Sequence, residues 1–106
     1  RVAMVEVDLD VGAAGREEDV PAREGGEEFV VRLRSPSAAV ALEVGERVRT
    51  AVGGLDLARF GVAGVSVSVG VAVASQADQP IADLIGQADA ALYRAKRAGR
   101  DRVVSA

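Results

Sequence analysis

The sequence predicts an α/β fold, a mixed sheet with helices laid against it, and three patterns predict it. Val65, Val67, Val69, Val71 and Val73 alternate with Ser66, Ser68, Gly70 and Ala72, a period-two strand with one bulky and one small face. Ile81, Leu84, Ile85, Ala88, Leu92 and Ala95 follow at helical spacing. Further upstream, two apolar segments flank Gly25-Gly26, which permits positive φ at both positions and suits a short hairpin connection. Strands alternating with helices in this way make a layered α/β domain.

Taken in order, Val2 to Leu9 reads as a buried strand that delivers Asp8 and Asp10 at its C-terminal edge. Val11 to Glu18, rich in glycine, alanine and charge, reads as a loop. Asp19–Arg23 and Glu28–Leu33 form the arms of the hairpin. Ser35 then places a capping hydroxyl before Pro36 at the first helical position. Val40, Val44, Val48 and Val52 recur on one face of that helix, and Gly53-Gly54 ends it. The valine strand comes next, and its small face would let a helix or a ligand come close. The second helix is closed by Gly99, and Val103-Val104 adds a short last strand. The expected order is β, loop, β-hairpin, α, β, α, β within one domain of 106 residues. The first residues already read as a strand, so the chain is expected to start inside a larger protein.

Composition narrows the chemistry. With no cysteine, disulfides, thiolate nucleophiles and zinc-thiolate sites are excluded. With no histidine, the Ser-His-Asp arrangement and HExxH metal sites go too. Acid-base or metal chemistry must use carboxylates, lysine or arginine, and carboxylate ligation favours hard ions such as Mg2+ or Mn2+. A net charge of −3 gives no reason to expect nucleic acid. Arg94, Lys96, Arg97, Arg100 and Arg102 still form a local anion-binding possibility. No apolar run can span a bilayer and no signal-peptide pattern opens the chain, so no membrane contact is expected. At the hairpin, Glu27 and Glu28 point to opposite faces and cannot both enter one core. At least one can reach a metal ion or a substrate. Alone, such a turn is more often a solvated hairpin tip, and a lone Lys96 a solvated helix face; their neighbours give them meaning.

Those neighbours resemble the GGDEF family, the diguanylate cyclase domain of bacterial signalling proteins. Val7-Asp8-Leu9-Asp10 resembles the DxD end of the family's first strand, and Glu24-Gly25-Gly26-Glu27-Glu28-Phe29 its signature hairpin. Ser66-Val67-Ser68-Val69-Gly70-Val71-Ala72 resembles its S-[IV]-G-[IV]-A strand. The run from Ala88 to Val103 resembles its near-C-terminal helix almost letter for letter. The resemblance implies a ferredoxin-like, palm-type sandwich with helices on one main face. It also implies a reaction in which two GTP molecules, one on each of two facing domains, condense to cyclic di-GMP and pyrophosphate. Each 3′-hydroxyl attacks the other molecule's α-phosphate, with divalent metal holding the phosphates.

By the same resemblance, Asp8, the Leu9 carbonyl and Glu27 hold Mg2+ or Mn2+, and Glu28 is a further ligand or the hydroxyl activator. Gly25 and Gly26 lie under the nucleotide, and Lys96 and Arg100 contact its phosphates. Arg16 and Asp19 match the RxxD inhibitory site that binds cyclic di-GMP, with Arg47 as its second arginine. A homodimer for activity, a sensory or receiver domain in a longer parent chain, and a cytoplasmic setting are implied as well.

One departure stands out. Where the family carries the rest of an FKxxND segment and its helices, only Val11-Gly12-Ala13-Ala14-Gly15 separates Asp10 from Arg16, and the chain has no asparagine. The first crossover helix is therefore missing or omitted, and apolar sheet surface is expected to lie uncovered. Two rivals to a cyclase follow: a domain that binds cyclic di-GMP without making it, and a dimerisation module.

Overall fold

The computed structural model describes residues 2–13, 28–34, 37–76 and 78–106. Four strands and two long helices follow one another as β1 (Val2–Ala13), β2 (Glu28–Arg34), α1 (Ala38–Gly53), β3 (Val62–Val73), α2 (Ile81–Arg97) and β4 (Arg102–Ser105). The sheet order is β2-β1-β3-β4. Both partners of β1 are antiparallel to it, whereas β4 runs parallel to β3, so the sheet is mixed as expected.

The first strand runs further than its sequence suggests. Val11 pairs with Val65, Gly12 with Gly64 and Ala13 with Val62, with a register shift at the end, where a loop was expected from Val11. The reason lies in β3, which begins at Val62 and supplies a partner that the small Ala63 and Gly64 conceal in a hydrophobicity pattern. The second hairpin arm is present as β2. The first arm and its turn, with Arg16, Asp19, Gly25, Gly26 and Glu27, lie outside the described residues.

Ser37 caps α1, its hydroxyl accepting a hydrogen bond from the Val40 amide at 3.1 Å. The expected cap at Ser35-Pro36 lies outside the described residues. The buried positions of α1 are Ala41 and Gly45, with Val48 and Val52 partly buried beside the core, while Val40 is 49% exposed. A four-residue spacing gains about 40° per step on a helix of 3.6 residues per turn, so a stripe read from Val40 drifts off the core face. A short 3-10 turn at Ala58–Phe60, unmarked by any periodicity, leads into β3.

The helices cover opposite faces of the sheet rather than one main face. On one side Ala3, Val5 and Val7 of β1 join Val67, Val69 and Val71 of β3 under Ala41 of α1. On the other, Met4 and Ala72 pack against Leu84 and Ala88 of α2. Alternation explains the division, because successive residues of each strand face opposite ways. Gly70 lies on the small face of β3. A Cβ there would overlap the Ala88 carbonyl oxygen and the Leu92 amide, and stand 2.8 Å from the Leu92 Cα. The small face thus admits α2, one of the two options its composition suggested. Ile81 and Ile85, expected on the inner stripe, are each 39% exposed; Ala91 takes the buried position instead. Apolar surface does lie open on β2, where Phe29, Val30 and Val31 are exposed. Among the described residues no helix is long and apolar enough to cross a membrane.

Candidate functional site

Asp8 lies on the α2 side of β1 with 1% of its surface exposed. Strand register places Glu28 of β2 opposite it on one side and Ser68 of β3 opposite it on the other. The α2 helix brings the cations. Lys96 Nζ stands 2.9 Å from Asp8 Oδ2 and 3.6 Å from Glu28 Oε2, and Arg100 Nη1 stands 3.6 Å from Asp8 Oδ2. Residues from three separate sequence segments therefore meet on the α2 face of the sheet: Asp8, Glu28, Lys96 and Arg100, each singled out in the sequence.

The end of α2 is bent to this purpose. After the last helical turn Gly99 takes φ 123°, and Arg100 and Asp101 follow with φ 65° and 45°. Two non-glycine residues in the left-handed region cost energy that the surroundings must supply. The Arg100 amide donates to the Ala95 carbonyl at 2.9 Å, and Arg49 of α1 pairs with Asp101 at 3.3 Å, so the turn is held from both sides. Its result is a guanidinium directed back to Asp8.

Electrostatics fit a site for an ionic ligand. Burial draws the Lys96 pKa down, but contact with Asp8 and the charges of Asp8 and Glu28 outweigh it and leave the net shift upward. Lys96 stays charged. Asp8 Oδ2 faces Lys96 and Arg100, while the buried Oδ1 has no hydrogen-bond partner. The buried Ser68 hydroxyl lacks one as well. An unpartnered oxygen in a buried carboxylate fits a hard divalent cation, and with no histidine or cysteine only such ions suit the donors.

Two residues that sequence reasoning passed over complete the picture. Glu6, 5% exposed, precedes Asp8 by two positions and so shares its face of β1. Its carboxyl lies with those of Glu28 and Asp89 of α2, their ligand oxygens all within 4.8 Å of one another. Burial first, then the charge of and hydrogen bonding to Asp89, then Glu28, push the Glu6 pKa up to about 7. The signal was available: strand alternation puts Glu6 beside Asp8, but an acidic residue within an apolar run was read only as part of the strand. Leu9 turns its side chain to the α1-side core, leaving only its backbone for the site. Arg47 is exposed on α1, across the sheet from Asp8.

The fold and the constellation together match one family. The family description "Diguanylate cyclase, GGDEF domain" matches residues 3–102, and the chain belongs to the GGDEF family. Diguanylate cyclase A of Treponema denticola is 35% identical over 103 residues, which take in 96% of this chain and 28% of that protein. Response regulator PleD of Caulobacter vibrioides is 43% identical over 93 residues, 81% of this chain and 20% of PleD. The chain thus spans between 20% and 28% of the length of these relatives. The GGDEF domain of PA1120 (YfiN or TpbB) from Pseudomonas aeruginosa superposes with a TM-score of 0.75 at 25% identity, over 99% of this chain and 81% of that one.

Proposed function

We propose that this domain serves cyclic di-GMP signalling through a cyclase-type metal and triphosphate site at Asp8 of β1, beside the start of β2. The observation that carries the reading is the meeting of Asp8, Glu28, Lys96 and Arg100 within ion-pair distance. Asp8, the Leu9 carbonyl and Glu27 would hold Mg2+ or Mn2+. Bound there, the metal neutralises phosphate charge and acts as a Lewis acid. Lys96 and Arg100 supply the cationic wall for a triphosphate, and Gly25-Gly26 leave room for the nucleotide above the turn. Glu28, paired with Lys96 and beside Asp8, is placed to ligate metal or to accept the proton of the attacking 3′-hydroxyl. One domain carries one GTP, so turnover needs a second copy facing it. GTP as substrate places the domain in the cytoplasm, in a longer protein whose other parts sense or receive a signal.

The test begins with binding. Mg2+ with GTP should raise the melting temperature through ligand linkage, and Asp8→Asn and Glu27→Gln should each abolish the rise. A rise that both variants keep would remove the metal assignment. Chromatography of GTP incubations then measures cyclic di-GMP and its loss in Glu28→Ala.

A second reading has its own observation. β1 continues as strand through Ala13, where the family's phosphate loop and guanine-reading residues would begin, and the chain has no asparagine. Turnover is accordingly expected to be slight, with the domain acting as a receptor for cyclic di-GMP through Arg16, Asp19 and Arg47. Calorimetry should then detect binding that Arg16→Ala weakens by about 1.5–3 kcal/mol, the worth of a charge-assisted hydrogen bond. Binding that is absent, or indifferent to Arg16→Ala, leaves a dimerisation module.

A further inference from the structure

The Glu6 carboxyl is the least expected group in the molecule. It sits in β1 between Val5 and Val7, on the face covered by α2, with Gly70 opposite it on β3. Because Gly70 has no side chain, the backbone of α2 at Ala88 and Leu92 descends onto the strand there. That descent carries Asp89, the next residue of the helix, down to Glu6. On the other side β2 contributes Glu28, one diagonal step from Glu6 in the register.

We infer that Glu6, Glu28 and Asp89 form a divalent-cation site beside the one that Asp8 and Glu27 would make, with Glu28 between the two, and occupied without nucleotide. An acidic cluster alone would not support this, since exposed carboxylates often gather without an ion. Here one member, Glu6, is only 5% exposed, and its Oε2 has no hydrogen-bond partner. Among the described residues, no lysine or arginine lies within ion-pair distance of Glu6; Lys96, the nearest site cation by its contacts, pairs with Asp8 and Glu28. Lys96 stands 3.6 Å from Glu28 and is shared with Asp8, so it offsets only part of the repulsion among the three carboxylates; one ion at their centre relieves the rest and the desolvation of Glu6 together.

The donors narrow the ion. Ligation by carboxylate oxygens alone suits a hard divalent cation such as Ca2+, Mn2+ or Mg2+, and the three ligand oxygens lie within 4.8 Å of one another. Water completes the ion's shell on the exposed side of Glu28 and Asp89. Its competitor is a proton shared between Glu6 and Asp89, which would leave the cluster neutralised with no metal.

Manganese alone distinguishes them. Mn2+ is titrated into nucleotide-free protein and the free-ion paramagnetic resonance signal is followed, with Ca2+ and Mg2+ as competitors. The inference expects saturable binding that excess Ca2+ or Mg2+ displaces. Losing a residue that merely supports a ligand weakens metal binding roughly ten-fold or more, so Glu6→Gln and Asp89→Asn should each do at least that. Glu43→Gln, an exposed carboxylate of α1 on the opposite face, should leave it. Both cluster variants are isosteric, and circular dichroism confirms that each is folded before titration. No saturable binding, binding unaffected by Glu6→Gln and Asp89→Asn, or binding lost in Glu43→Gln would each overturn the site. None of these outcomes depends on whether the domain binds or converts GTP.

Discussion

On the α1 side of the sheet a helix glycine meets strand side chains; on the α2 side a strand glycine meets helix backbone. Gly45 of α1 lies over Val69 and Val103, whereas Gly70 of β3 lies under Ala88 and Leu92. The α1 side is closed with valines and is wholly apolar at its centre. The α2 side holds Glu6, Asp8 and Ser68 buried beside its apolar residues. Alternation along β1 and β3 lets the same strands build both. The difference teaches how a site can be cut into a small domain without a separate cavity. A helix lowered onto glycine brings Asp89 and Lys96 to the strand carboxylates, and the opposite face supplies the stability that buried acids remove.

The largest expected effect comes from closing that approach. Gly70→Val would drive a side chain into helix backbone on both neighbours, and backbone cannot rotate aside. Overpacking of this kind costs about 3 kcal/mol or more, a large fraction of a small domain's stability. Urea denaturation should show the loss, and metal- or nucleotide-linked stabilisation should vanish with it because α2 carries Lys96 away from Asp8. A variant of ordinary stability would mean that α2 does not rest on β3 as described, and the contrast between the faces would fail.

Strand alternation from Val65 to Val73 and the stripe Leu84, Ala88, Leu92 and Ala95 were legible because burial follows period. Asp8, Glu28, Lys96 and Arg100 were legible because their motifs sit at distinctive spacings. What escaped the sequence was of a different kind. The extension of β1 to Ala13 depends on a partner strand, not on its own residues. Val40 was misplaced because a stripe of regular spacing drifts around a helix. Glu6 and Asp89 were missed because each lies inside a pattern that already had an explanation, and only the descent of α2 over Gly70 brings them together. Which helix covers which face is likewise a property of chain tracing, invisible to periodicity.

A second effect separates the two faces by pH. Among the described residues only the α2 side buries acids, and Glu6 has its pKa raised from 4.5 to about 7. Between those values the folded protein holds a proton that the unfolded chain has released. The stability Glu6 contributes is therefore complete below about pH 4.5 and is lost as pH rises through about 7. With chelator present, urea midpoints should fall from about pH 5 to about pH 8, and Glu6→Gln should flatten that fall. If Glu6→Gln keeps the full slope, the titrating group lies elsewhere and the α2 side is not the pH-sensitive one. Excess Mn2+ or Ca2+ at the higher pH should restore part of the lost stability if the carboxyl cluster binds it.

The smallest effect is the most discriminating, because two opposed contributions nearly cancel. Gly45→Ala adds a Cβ 3.0 Å from Val103 Cγ1 and 3.2 Å from Val69 Cγ1, closer than ordinary contact. Replacing glycine by alanine within a helix gains about 0.5–1 kcal/mol from reduced backbone freedom. Against that, an extra methyl in a tight core typically costs about 1–3 kcal/mol. Val103 lies on β4, a short edge strand, and is only partly buried, so it can shift by the few tenths of an ångström required. Val69 is fully buried between α1 and its own sheet neighbours and cannot. One neighbour yields and the other does not, so the packing cost outweighs the backbone gain and the net loss should be about 1 kcal/mol. Metal binding should be unchanged, since the substitution touches no group on the α2 side. Denaturation that showed Gly45→Ala as damaging as Gly70→Val would mean that both glycines meet unyielding neighbours. The two faces would then differ in polarity but not in tolerance, and the closeness of α2 could no longer be assigned to a backbone contact that only glycine permits.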